Sequence, residues 1–292
     1  LMNYSAYSDG KTLCTALLQE AIDATPMGGT LRIPAGTYLT GSLFLHSNMT
    51  LELTPDTVLL GVVDESAYPM VPSRVAGVEM IWPGNRLEAV TGLLNVHHAE
   101  NVTICGGGTV DGQGEYWWKK YWGDDRLGGM RGVYTPKGVR WAVDYDCTRP
   151  RNVIVYESKH VTISGLTSRQ SPFWNLHLCY SEDLLVENIQ IGANAGPSTD
   201  GIDIDSCNGA VIRRCRITCN DDSICLKAGR DSDGLRVNRV CENIEIYDCD
   251  LGVGAGITLG SETSGGIRNV YIHDCRYDST SCGFRIKSAR TR

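Results

Sequence analysis

The chain has 292 residues, 42% hydrophobic and 21% charged, with no apolar stretch of the ~18 residues a membrane helix needs, so neither disorder nor a helical membrane span is expected. Lys plus Arg minus Asp plus Glu is 27 − 34 = −7, with no long basic tract, which excludes a duplex nucleic-acid binder that must neutralise many phosphates. A sugar or small-molecule partner fits better. At about 150 residues per domain the length allows two domains or one large unit, and 12 Cys without a C-x-x-C pair do not make a small disulfide scaffold.

The N-terminus, Leu1-Met2-Asn3-Tyr4, lacks the basic and apolar segments of a leader, and Leu does not initiate translation. The expectation is a secreted or periplasmic protein whose leader has been removed, with a cytoplasmic protein or a trimmed chain as the alternative. From Thr12 to Ala24, Leu13, Ala16, Leu17, Ala21 and Ile22 recur near helical spacing before Pro26 and Gly28, which predicts an amphipathic capping helix.

Beyond it the sequence repeats. NMTLEL at 48, NVTICG at 101, HVTISG at 160, DLLVENI at 183, GAVIRRC at 209, NIEIYDC at 243 and NVYIHDC at 269 alternate apolar and polar residues, the period of a half-buried strand. From 160 the starts differ by 23, 26, 34 and 26 residues, the longest interval holding an insertion around 229–240. Short strands at this period without intervening helices predict an all-β solenoid, a right-handed parallel β-helix. Residues 64–98 and 115–150 interrupt it as long, turn-rich loops with Trp82, Trp117, Trp118, Trp122 and Trp141. Two readings stand for these rings: they pack on the helix, or one or more lines a sugar cleft.

Aligning the phrases places Cys215, Cys249 and Cys275 in one inward column with Leu166 and Ile189. A stack of free thiols, small buried hydrophobes, is favoured over disulfides, although adjacent strands are close enough for a bridge. A second column aligns IDID at 202, ICLK at 224, ITLG at 257 and FRIK at 284. Its first and third residues point inward; Asp203, Cys225, Thr258, Arg285, Asp205, Lys227, Gly260 and Lys287 are expected to face solvent. They form either a polar cleft floor or a salt-bridged surface.

Ahead of these strands Asp200 and Asp222 are separated by 222 − 200 = 22 residues, one coil, with Asp221 beside Asp222. Three carboxylates in one small volume repel, which raises at least one pKa and leaves a protonated acid beside an ionised base. Glycosidic hydrolysis needs that division. A Ca²⁺ site is the competing use of such a cluster.

STDGID at 198, NDD at 220, GAGI at 254 and RIK at 285, with upstream IPAGTYLTG at 33, GTVDGQG at 108 and SPFWN at 171, occur in the order and at the spacings of glycoside hydrolase family 28. The chain resembles that family's polygalacturonase type over most of its length. The resemblance implies hydrolysis of α-linked galacturonic acid in pectic polysaccharide with inversion, Asp221 as general acid and Asp200 and Asp222 activating water. It also implies that Arg285 and Lys287 bind the galacturonate carboxylate, and that no metal or other cofactor is needed. Partners are then a polysaccharide or oligosaccharide and neither nucleic acid nor membrane; oligomeric state is left open.

Three positions depart from the family pattern: Ser198 stands for Asn, Asn220 for Gly and Ala255 for a His beside the acids. An active enzyme with altered acid tuning, a hydrolase of rhamnogalacturonan or other substituted pectin, and a sugar-binding helix without turnover remain open, as does a lyase of the same architecture. The two long insertions are placed to close one end of the cleft, which favours exo attack. The chain reads as one β-helix domain over 1–292, C-terminally incomplete relative to the family, since members continue for several coils beyond the RIK motif.

Overall fold

The structure, a computed structural model, describes residues 6–82 and 85–289. It is a right-handed parallel β-helix. Three parallel sheets of nine, eight and eight strands run along it, and successive coils add one strand to each. The repeated phrases all fall in one sheet, and each opens on a residue in the left-handed backbone region: Asn48, Asn101, His160, Asp183, Gly209, Asn243 and Asn269, with φ from 52° to 75°. Gly, Asn and Asp adopt that conformation at least cost, which explains the composition of the phrase starts. Neighbouring starts also bond, Asn101 Nδ2 donating to Asn48 Oδ1 at 2.9 Å. The alternate residues Leu51, Ile104, Ile163, Val186, Ile212 and Ile246 stack in one buried core that extends from Cys14 to Ile257.

The capping helix is shorter than its periodicity predicts, Thr15–Asp23. Asp9–Leu13 is instead a strand against Gly36–Thr40, and the Cys14 N–H donates to the Leu39 carbonyl at 2.9 Å. Sheet pairing therefore claims Leu13, while Leu18, Ala21 and Ile22 cover the first coil.

The insertions are more ordered than turn-rich sequence implies. Residues 64–98 contain the antiparallel pairs Met70–Pro72 with Glu88–Val90 and Met80–Trp82 with Asn85–Arg86. Residues 115–150 are largely helical, in Gly114–Trp122, Gly129–Tyr134 and Val143–Asp146, and the 229–240 insertion carries the helix Asp231–Val237. Trp117 and Trp118 are buried, Trp118 Nε1 donating to the Ser171 carbonyl at 2.9 Å. Those two rings pack on the helix; Trp122 is half-buried, and the side chains of Trp82 and Trp141 lie outside the described residues.

One expectation fails. The second column has the aligned register, Asp203 beside Cys225, then Thr258, then Arg285, with Asp205 beside Lys227. Yet Asp203, Asp205, Cys225, Lys227 and Thr258 are buried rather than solvent-facing, and Gly260 is buried as well. The insertions lie over that face: Arg74 Nη1 donates to Asp205 Oδ1 at 2.9 Å, and Tyr145 Oη to the Ala76 carbonyl at 3.2 Å. Strand periodicity reports the side on which a residue projects, not what covers that side. Beyond the insertions, Arg285 and Lys287 keep about a third of their side chains exposed, and the inward column ends on Phe284 and Ile286, 50% and 68% exposed.

All twelve cysteines are free, and Cys215 and Cys249 are buried with Cys275 half-buried above them. Denatured, non-reduced protein is expected to titrate twelve thiols with Ellman's reagent, while the nine buried ones stay silent in the native state. A lower denatured count reveals disulfides and removes the thiol stack.

Candidate active site

The three acids occupy the turns before Ile202–Asp205 and Ile224–Lys227. Those turns are bonded to each other, the Gly201 N–H donating to the Asp222 carbonyl at 2.9 Å. Position 201 admits no side chain, because a Cβ there meets the Ser223 carbonyl and Ile217. This close approach brings one oxygen from each of Asp200, Asp221 and Asp222 within 4.8 Å of the others. Asp200 and Asp222 are 4% and 1% exposed, whereas Asp221 is half-buried and open to a substrate.

Their environments divide the protons. Burial, then the charge of Asp203, then those of Asp221 and Asp222 push the Asp200 carboxyl well above the carboxylate range. Burial and the adjacent Asp222 charge raise Asp221. Burial also acts on Asp222, but Lys287 and Lys227 outweigh it and hold that carboxyl below its ordinary value. The result is an Asp222 biased toward ionisation beside two acids biased toward keeping their protons, the direction of bias general acid–base chemistry uses.

All five residues singled out in the sequence converge here. Lys287 Nζ donates to Asp222 Oδ2 at 2.7 Å, Arg285 Nη2 donates to Asp222 Oδ1, and Thr258 Oγ1 donates to the same oxygen at 2.7 Å. Arg285 Nε in turn donates to Thr258 Oγ1 at 2.9 Å. The cation pair thus engages the acid cluster itself, and its partial exposure leaves it within reach of an incoming anion. Asp200, Asp221 and Asp222 are close enough to converge on a metal ion, but a Ca²⁺ site takes six to eight oxygens and here two cations already occupy Asp222. The donor set suits proton transfer better.

Other members of the site escape sequence reasoning. Asp144, from the 115–150 insertion, accepts from Arg149 Nη2 at 3.0 Å and from Ser198 Oγ at 3.1 Å. Burial, opposed by Arg149, raises its carboxyl. Arg149 Nη1 also donates to the Pro197 carbonyl at 2.6 Å, pinning the insertion against the residues that lead into Asp200. No periodicity marks Asp144, because the short helix that carries it belongs to an insertion outside the coil repeat. Ala255 lies at the cluster, its N–H donating to the Asp221 carbonyl at 2.8 Å, and its methyl group has no proton to exchange.

The model of the family described as Glycosyl hydrolases family 28 matches residues 85–292. A probable polygalacturonase of Vitis vinifera is 34% identical over 99% of this chain and 56% of its own length. An exo-poly-alpha-D-galacturonosidase of Dickeya chrysanthemi is 28% identical over 99% of the chain and 52% of its own. The chain spans about half the length of these relatives. Among solved structures, a hyperthermoactive exopolygalacturonase from Thermotoga maritima superposes with a TM-score of 0.81 at 30% identity, covering 98% of this chain and 67% of that one.

The raised carboxyls have a stability consequence whose sign is definite. A carboxyl held above its unfolded pKa opposes folding increasingly as pH rises from the unfolded value to the folded one and in full above it, and the penalty is absent below the unfolded value. Asp200→Asn is therefore expected to raise the melting temperature at pH 8 by roughly 2–4 °C, the effect of about 1 kcal/mol in a chain of this size. The gain disappears near pH ~3. Thermal melts at the two pH values check it; an equal effect at both contradicts the protonation assigned to Asp200.

Proposed function

The chain belongs to glycoside hydrolase family 28, and from that membership we propose that it hydrolyses α-linked galacturonic acid bonds in a pectic polysaccharide or its oligomers, with inversion. The observation that carries this reading is the convergence of Asp200, Asp221 and Asp222 within 4.8 Å of one another, with Arg285 and Lys287 on Asp222. Asp221 donates its proton to the glycosidic oxygen as the bond to the anomeric carbon breaks. Asp222 takes a proton from the water that attacks that carbon. Asp200, favouring its protonated form, orients the water rather than deprotonating it, a narrower role than the family pattern implies.

Arg285 and Lys287 have two possible partners, Asp222 and the carboxylate of a bound galacturonate. When the sugar takes them through charge-assisted hydrogen bonds, Asp222 loses its counter-charge and becomes the stronger base. Attack from a chain end is supported by the insertion wall at Asp144, Arg149 and Ser198, which stands immediately beside Asp200, and by the exo-acting names of two similar proteins.

Asp221→Asn is expected to lower kcat on polygalacturonate by roughly 100- to 10,000-fold, the worth of a general acid, with circular dichroism unchanged. Full activity of that variant removes Asp221 from the mechanism. Digestion of oligogalacturonides and of rhamnogalacturonan, resolved by product size, is expected to release galacturonate units from homogalacturonan ends; early mid-sized products contradict exo attack. The nearest oxygens of the acids lie within 4.8 Å, closer than the carboxyl gap of about 6.5–9.5 Å in inverting enzymes. Proton NMR of the first-formed anomer is thus the decisive measurement, and a product of retained configuration overturns inversion.

A further inference from the structure

Lys227 is 5% exposed, on the strand Ile224–Lys227 directly behind the acids. Its Nζ lies 3.0 Å from Glu262 Oε2 and 3.6 Å from Asp203 Oδ1, and 5.2 Å from the centre of the Trp174 ring. Among the described residues neither oxygen of Asp203 has a hydrogen-bond partner, although the side chain is 0% exposed. An Asp203 oxygen also lies within 4.8 Å of one from Asp200 and of the Cys225 sulfur. Because an unpaired buried charge costs several kcal/mol, burial raises the Asp203 carboxyl well above its ordinary range, and the Lys227 ammonium is the largest of the charges that oppose the rise.

We propose that Lys227 is a positioning residue for the acid cluster: clamped between Glu262 and Asp203, its ammonium holds Asp203 against Asp200 and is the fixed positive charge about which the three acids divide their protons. The role within catalysis rests on the hydrolase reading above. Among the described residues, Arg285 and Lys287 engage Asp222 and Arg74 engages Asp205, while Arg151, set over the Phe173 and Trp174 rings, adds a weaker pull on Asp203 than Lys227 does.

The charged and titratable groups around Lys227 come from every element packed on it. Its own strand supplies Cys225, whose thiol burial holds neutral; the adjacent strand supplies Asp203 and Asp205, and Glu262 follows the next one. The two turns supply Asp200, Asp221 and Asp222, and Lys287 faces it from the last strand's end. His177, on the strand Leu176–Cys179, contributes no charge at neutral pH, because burial and then Arg151 lower it to about 4. Lys227 draws Asp200, Asp203, Asp221 and Asp222 toward ionisation, against the burial that raises the first three.

Two opposite charge deletions test this. Lys227→Met is expected to move both limbs of the kcat–pH profile on polygalacturonate upward by roughly one pH unit, and Glu262→Gln to move both downward by a similar amount, as a unit charge at this range demands. In parallel, ¹³C NMR titration of aspartate carboxyls without substrate is expected to show the same opposite shifts at Asp221. A purely structural Lys227 lowers activity or stability with the limbs and carboxyl titrations in place. Unmoved titrations in a folded Lys227→Met protein, or shifts of one sign in both variants, overturn the proposal. Should Lys227→Met not fold, Glu262→Gln alone decides, by a downward shift or none. A wild-type protein that leaves polygalacturonate intact sinks the hydrolase reading, while the carboxyl titrations still judge Lys227.

Discussion

Coil stacking is the constraint on which this molecule depends. Parallel strands repeat at about 4.8 Å, and the hydrogen bond from Gly201 to the Asp222 carbonyl holds that spacing where the acids sit. Acidic turns on neighbouring coils cannot then avoid each other. Their proximity prevents all three acids from ionising freely, and the cations of the last strand fall on the one acid that does. The division of protons is therefore a consequence of a backbone repeat, with side chains selecting which acid carries the charge.

The insertions supply the second condition, exclusion of water. Without them the outer face of the strand Ile202–Asp205 would be solvated, and charge–charge terms there would be weak. Covered by Arg74, Tyr145 and their neighbours, the same face becomes a buried network in which Asp205 is paired with Arg74 and Asp203 leans on Lys227. Burying so many charges stabilises little in itself, because desolvation offsets the Coulombic gain. What burial provides is strength of field at Asp200, Asp221 and Asp222, at a cost in stability typical of functional sites.

Much of the helix was legible because its rules are local. Alternation sets inward and outward residues, and the left-handed start of each phrase favours Asn, Asp or Gly, as at six of the seven starts, so Asn48, Asn243 and Asn269 announce their coils and register follows. The Cys215, Cys249 and Cys275 column could be read the same way. The site was legible to the extent that it rides on that register: Asp200 and Asp222 fall one coil apart, Arg285 and Lys287 come two coils further on, and Asp221 is a chain neighbour. Leu13 was misread because an edge pairing with Gly36–Thr40 overrode helical spacing.

Sequence alone thus determined the repeat, the stacking of acids and cations, and the family to which they point, since each is carried by spacing along the chain. Only the tertiary structure decided that Asp203, Asp205 and Lys227 are buried, that Arg285 and Lys287 rest on Asp222, and that Asp144 joins the site. Those outcomes depend on where the 64–98 and 115–150 insertions lie, and their course is set by contacts between residues as far apart as Arg74 and Asp205. A periodic pattern has no means of encoding which distant segment comes to rest upon it.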